Sequence, residues 1–239
     1  MTPVPSHDLL TDAGLAAVLG RHPFVTQIIY RARLESTNDT AKQLADQGAP
    51  EGLLVITDEQ TAGRGRFGRR WWAPVGSALL TSLLFRPAAP CERPAATGEG
   101  GVHIVQQLMM LCALSAADAI IHLTALPVEL KWPNDLLVRG RKLAGLLAES
   151  VFQGDRLESV VVGMGMNVNM TFADAPPFIA TATSLQLELG HPVHRQSLLV
   201  AYVNGVAQRY AQLRNGSNPY EEWSNRCEGS GQQPLQTSI

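Results

Sequence analysis

Four arginines fall within seven residues, at positions 64, 66, 69 and 70, in the stretch Gly63-Arg64-Gly65-Arg66-Phe67-Gly68-Arg69-Arg70-Trp71-Trp72. Guanidinium groups this close repel one another well inside the Debye length of about 8 Å at physiological salt, and Gly63, Gly65 and Gly68 leave the backbone free. The pattern predicts a loop that is mobile when empty. A nucleotide phosphate chain would cancel the repulsion, accept charge-assisted hydrogen bonds from several arginines, and offer a ring against which Trp71 and Trp72 can stack. On its own the loop is also open to solvated arginines on a surface hairpin, or to an RNA contact.

Two more clusters carry suitable groups. Lys131-Trp132-Pro133-Asn134-Asp135 places a cation, an aromatic ring, a rigid turn and a carboxylate in five residues. Lys142-Leu143-Ala144-Gly145 follows a basic tip at Arg139-Gly140-Arg141. Each is also ordinary turn chemistry when taken alone. Gly163-Met164-Gly165-Met166-Asn167-Val168-Asn169 lacks the third glycine of a dinucleotide fingerprint, and Pro176 and Pro177 follow where its helix would open. Its glycines serve instead to let a ligand or a neighbouring strand come close. No G-x-x-x-x-G-K-[ST] occurs, which excludes a Walker A loop.

The elements that must hold these residues read as follows. Thr26 to Leu34 has strand character, and Ser36-Thr37-Asn38 starts a helix that ends at Gly48-Ala49-Pro50. Leu53 to Thr57 is a buried strand delivering Glu59, Gln60 and the arginine loop, and Ala78 to Phe85 is another. Residues 87–101 form a surface excursion rich in proline and glycine. A long helix runs from about Val102 to Ile121, and a second amphipathic one covers Arg195 to Leu213. Between them lie short strands at Val128 to Lys131 and Leu136 to Arg139, then longer sheet segments at Lys142 to Phe152 and Leu157 to Gly163. Hairpin-like strands alternating with few helices predict an α+β fold rather than a doubly wound parallel sheet.

Composition narrows the partners. The 239 residues, 45% hydrophobic and 17% charged, suffice for one sizeable core. The net charge is −2, and without the four loop arginines the balance is 15 basic to 21 acidic side chains, so positive charge is concentrated in one place. That favours a defined anionic ligand over a broad nucleic-acid surface. Cys91, Cys112 and Cys227 form no C-x-x-C pair and suggest neither disulfide framework nor zinc site; a reducing cytoplasm fits them. Residues 1–24 hold no continuous apolar region of a signal peptide. Polar residues at 106, 107, 118 and 122 mark the apolar stretch Ile104 to Leu126 as a buried helix rather than a membrane span.

In this order, Ser36-Thr37-Asn38, Gln60 through Gly68, Lys131 through Asp135, Lys142 through Gly145 and Gly163 through Asn167 resemble the biotin protein ligases, from about residue 25 to residue 226. The resemblance implies a mixed, largely antiparallel sheet flanked by helices, like the catalytic domain of biotin protein ligases and class II aminoacyl-tRNA synthetases. It implies an ATP-dependent ligase that joins biotin to ATP as biotinyl-5′-AMP, releases pyrophosphate, and passes biotin to a lysine of a biotin carboxyl carrier domain. Biotin would then be bound by Ser36, Thr37, Asn38, Gln60, Gly63, Arg64, Gly65, Arg66, Lys142 and Gly145. ATP and the adenylate would fall to Arg66, Arg69, Arg70, Trp71, Trp72, Lys131, Asn134 and Asn167, with Mg²⁺ entering on the triphosphate. Arg66 and Lys142 would neutralise the reacting anions, and Asp135 would orient or deprotonate the incoming lysine. A lipoate or octanoate ligase or transferase of the related superfamily stays open, as does a truncated, weakly active or non-catalytic biotin-binding form.

The resemblance also sets expectations at both ends. Residues 1–24 form an extension too short for the winged helix-turn-helix found in some relatives, which implies a monofunctional ligase without DNA binding. Residues 227–239 are polar, so a disordered tail is expected where relatives carry a small SH3-like barrel. No membrane partner is implied, and a homodimer is left open.

Overall fold

Leu53-Leu54-Val55-Ile56 is apolar at every position because both faces of the strand it forms are covered: all four residues are fully buried. Leu54 and Ile56 join a large core on one face, whereas Leu53 and Val55 pack with Ala41, Ala45, Leu84 and Val161 on the other. The computed structural model describes residues 10–87, 99–154, 156–173, 175–179 and 181–228.

The strands are β1 (Gln27–Leu34), β2 (Leu53–Gln60), β3 (Ala78–Phe85), β4 (Glu129–Lys131), β5 (Asp135–Val138), β6 (Arg141–Gln153) and β7 (Arg156–Asn167). The helices are α1 (Asp12–Leu19), α2 (Thr37–Asp46), α3 (Glu99–Thr124), α4 (Leu185–Leu189), α5 (Arg195–Arg214) and α6 (Tyr220–Glu228). One sheet of order β1-β2-β3-β7-β6-β5-β4 holds all seven strands. Only β1 and β2 pair in parallel; the other neighbours are antiparallel. The fold is therefore α+β with a mixed, largely antiparallel sheet, as the sequence predicts.

Helix α2 begins where Ser36, in extended conformation, accepts a hydrogen bond from the Asp39 N–H at 3.3 Å, and it ends before Gly48 at φ +89°. It covers one face of the sheet. Helices α3 and α5 pack together on the opposite face, with Leu108, Leu111, Leu114, Leu198, Tyr202 and Val206 among the buried residues. α3 is the one described helix long and apolar enough to cross a membrane, and here it is a core helix. Cys112 on α3 and Cys227 on α6 are buried.

Several boundaries differ from the sequence reading. β2 runs on to Gln60 because the parallel β1 keeps pairing with it, Arg33 opposite Glu59 and Leu34 opposite Gln60. β7 continues through the glycines to Asn167, with Gly163 and Gly165 paired on both sides. α3 starts at Glu99, inside the span read as a surface excursion, whose residues 88–98 lie outside the described residues. Helix α6 carries Cys227 and Glu228, two residues read as tail; residues 229–239 are not among those described. α1, α4 and α6 were not read from the sequence. α1 is capped by Thr11, which accepts from the Gly14 N–H at 3.0 Å, and it buries Leu15 and Leu19 in the main core.

Arg195 anchors the first turn of α5 to the sheet from within. Its side chain is fully buried; Nη1 donates to Asp58 Oδ1 at 2.6 Å and to the Ala78 carbonyl at 3.2 Å. Asp58 also accepts from the Tyr30 hydroxyl at 2.5 Å, and burial followed by this bond pushes the phenol up to about 12.

Candidate active site

The N-terminus of α2, the end of β2, the arginine loop, the β4–β5 turn and the glycine-bearing stretches of β6 and β7 converge on one cleft of about 950 Å³. Every site residue expected from the sequence lines it except Gly63. Gly63 is buried just behind the lining, where a Cβ would stand 2.8 Å from the Trp71 carbonyl.

One wall is polar and tightly ordered. The Thr37 N–H and hydroxyl both donate to Gln60 Oε1, at 2.8 and 3.1 Å. Ser82 Oγ lies 2.8 Å from Thr37 Oγ1 and 2.6 Å from Asn38 Oδ1, its single proton serving one at a time. Asn38 Nδ2 donates to Glu149 Oε2 at 2.6 Å and to the Leu147 carbonyl at 3.3 Å. Glu149 in turn holds Lys42 at 2.6 Å. Burial pulls the Lys42 ammonium down, but its bonds to Glu149 and Asp39 outweigh that and leave its pKa above the ordinary value. Ser82 and Glu149 were missed in the sequence: each sits in a strand with no motif around it and enters through pairing across the sheet.

The arginine loop is doubled back on itself and tied to the rest of the chain at one point. Its backbone folds on itself, Trp71 N to Gly63 O at 2.9 Å and Gly65 N to Arg69 O at 2.7 Å, with a bridge between Arg64 and Arg70 and a tight turn at Arg66–Gly68. The charge repulsion is relieved on one side only. Arg64 grips Asp39 on α2 with both terminal nitrogens, at 2.5 and 2.6 Å. The Arg64 hydrogen bond is the main reason the Asp39 carboxyl is lowered to about 2. Arg66 stacks on Phe67 at 5.0 Å, and Arg66, Arg69 and Arg70 form no ion pair among the described residues. Three guanidinium groups lining one cleft without an ion pair among the described residues are suited to hold an anion.

Trp71 lies on the sheet floor between strands. A Cβ at Gly165 would stand 2.6 Å from its Cζ2, and one at Gly145 would stand 3.3 Å from its Cζ3. Its Nε1 is buried without a hydrogen-bond partner, an orphan donor that a ligand acceptor would satisfy. Lys142 Nζ sits 5.7 Å from the Trp71 ring centroid and 2.7 Å from Asp135 Oδ1. The Lys142 backbone is clamped to a later segment, with its N–H on Thr181 O at 3.0 Å and its carbonyl accepting from Thr183 N at 2.8 Å.

The β4–β5 turn places Lys131 opposite Asp135. Trp132 packs edge-on against Trp223 of α6 with centroids 5.3 Å apart, which props the turn from behind. Asn134 Nδ2 donates to the Leu146 carbonyl at 2.7 Å and Asn167 Nδ2 to the Thr183 carbonyl at 2.9 Å. Among the described residues their amide oxygens accept no hydrogen bond. The basic tip is not part of the anion site: Glu188 on α4, its side chain fully buried, pairs with Arg141 at 2.6 Å and Arg139 at 3.3 Å.

The cleft thus has an ordered polar wall, an apolar floor, two lysines and three arginines without an ion pair among the described residues, an arrangement suited to joining two small anionic substrates. The pattern of the biotin/lipoate A/B protein ligase family matches residues 30–167, and the chain belongs to that family. The bifunctional ligase/repressor BirA of Bacillus subtilis is 34% identical over 217 residues, 90% of this chain and 62% of that protein. The biotin–[acetyl-CoA-carboxylase] ligase of Paracoccus denitrificans is 37% identical over 191 residues, 76% of this chain and 72% of that protein. Among solved structures, the biotin protein ligase from Aquifex aeolicus in complex with biotin and ATP superposes with a TM-score of 0.66 at 27% identity, over 84% of this chain and 77% of that one. The chain spans less than two thirds of the length of the Bacillus protein.

Proposed function

We propose that residues 25–226 form the catalytic domain of an ATP-dependent biotin protein ligase, which makes biotinyl-5′-AMP and transfers biotin to a lysine of a carboxyl carrier domain. The observation that carries the reading is the meeting of the Thr37–Asn38–Gln60 wall, backed by the buried Ser82, with Lys142, Arg66, Arg69 and Arg70 in one cleft. A polar bicyclic ring needs directed donors and acceptors fixed in place, and that wall supplies them; an unfunctionalised acyl chain would not need them.

The first step brings a carboxylate against the α-phosphate of ATP. Lys142 and Arg66 neutralise that pair of anions as the carboxylate oxygen attacks phosphorus and pyrophosphate departs. Arg69 and Arg70 take the remaining phosphate charge, and the orphan Nε1 of Trp71 donates to the ligand. Mg²⁺ would arrive with the triphosphate, and the amide oxygens of Asn134 and Asn167, which accept no hydrogen bond among the described residues, are suited to it as hard ligands that supplement phosphate and water. The metal would supply charge neutralisation at the phosphates. In the second step Asp135, already beside Lys142, accepts the proton of the incoming lysine amine. The three widely spaced cysteines, with no C-x-x-C pair, suit the reducing cytoplasm we assign to the protein.

The test is transfer to a carrier. Incubated with ATP, Mg²⁺, biotin and a purified biotin carboxyl carrier domain, the chain is expected to label one carrier lysine, detected with streptavidin. Labelling with octanoate in place of biotin, or none with either, would overturn the assignment.

A further inference from the structure

Arg64 differs from the other loop arginines. It forms a two-pronged pair with Asp39, one residue beyond the Thr37–Asn38 wall, and its Nη2 lies 3.9 Å from Glu149 Oε2. Glu149 also holds Asn38 and Lys42, and Lys42 reaches Asp39 at 3.1 Å. Three elements are thereby tied together: α2, β6 and the arginine loop. The loop is doubled back by its Gly63–Trp71 and Gly65–Arg69 bonds, so fixing Arg64 on one limb also fixes Arg69, Arg70 and Trp71 on the other. The carboxylate stays ionised well into acid, since Asp39 is lowered to about 2 by the Arg64 bond.

We propose that Asp39 and Arg64 form a latch that holds the Gly63–Trp71 limb pair down over the cleft, making Asp39 a positioning residue that retains the activated intermediate. The inference rests on the adenylate-forming reading above. Its chemical consequence concerns escape. A released acyl-adenylate is hydrolysed when water adds to the acyl carbon, the bond from that carbon to the phosphate oxygen breaks, AMP leaves, and the protons go to solvent. Retention directs the same bond cleavage to the carrier amine. Because both partners are more than one third exposed, the latch is screened by salt and its effect is graded rather than absolute.

Two measurements on the full chain test this, using Asp39→Asn and the conservative Asp39→Glu, which keeps the carboxylate. In ligand-free protein, limited trypsin digestion reads how open the loop is through cleavage after Arg66, Arg69 and Arg70. During turnover with biotin and ATP, rapid filtration reads the fraction of adenylate that is free. Asp39→Asn is expected to raise both by about two- to fivefold, the range set by losing an exposed but bidentate pair, with Asp39→Glu staying near wild type in both. Unchanged cleavage and unchanged free fraction in Asp39→Asn would overturn the latch, as would an Asp39→Glu chain as open as Asp39→Asn. A wild-type chain that makes no adenylate would sink the functional reading instead, and the trypsin arm would still decide the latch.

Discussion

The Trp71 indole lies so close to Gly165 that a methyl group there would stand 2.6 Å from Cζ2, inside van der Waals contact. Gly165 is flanked on both sides in the sheet, by Leu80 and Gly145, so the backbone cannot retreat. Gly165→Ala is therefore expected to expel Trp71 from the cleft floor. The expected outcome is a KM for ATP raised about tenfold or more with little change in melting temperature, since the displaced ring belongs to a surface loop. Unchanged steady-state kinetics would show that the ring position does not matter.

Lys142 is clamped at its backbone and steered at its ammonium by Asp135, so its removal should leave the strand in place. Lys142→Ala is expected to slow adenylate formation by about two orders of magnitude or more, the scale for a lost electrostatic contact to a transition state. Single-turnover formation of the adenylate checks it. A rate near that of wild type would remove Lys142 from the chemistry.

The buried pair of Arg195 and Asp58 is structural. Asp58→Ala leaves a guanidinium with no exposure at all facing an empty site, and is expected to cost about 3–5 kcal/mol in urea unfolding. A loss below about 1 kcal/mol would mean the charge is compensated elsewhere.

His22 gives the pH dependence its sign. Its Nδ1 accepts from the Phe24 and Val25 N–H groups at 3.2 and 3.1 Å, which only an unprotonated nitrogen can do. Burial lowers its pKa below the ordinary 6.5, against a smaller opposing effect from the Asn204 bond. The folded state thus resists a proton that the unfolded chain accepts. Stability from this ring is present above pH 6.5 and falls as the pH drops below it. The melting temperature of wild type is expected to fall between pH 7.5 and 5.5, and His22→Gln should reduce that fall. An equal fall in both proteins would contradict the tautomer.

Much of this was readable from residue order. Ser36 as a helix cap, the Leu53–Ile56 strand, Ala78–Phe85 and the long core helix follow from caps and apolar runs, which act over a few residues. The residues that meet in the cleft were readable because they sit in motifs. What escaped depends on contacts distant in sequence. Ser82 and Glu149 reach Asn38 only when the sheet forms, and Thr181 reaches Lys142 only after the chain returns from β7. The repulsion within the loop was visible in sequence, whereas the partner that offsets the charge of Arg64, Asp39, lies 25 residues away on another element.

The most direct test of the central claim is formation of the activated intermediate itself. The purified chain is incubated with ATP, Mg²⁺ and either biotin or octanoate, and the acyl-adenylate is sought by mass spectrometry against a control lacking protein. The account expects biotinyl-5′-AMP with biotin and none above control with octanoate. Absence of biotinyl-5′-AMP, or an octanoyl-adenylate in its place, would contradict it.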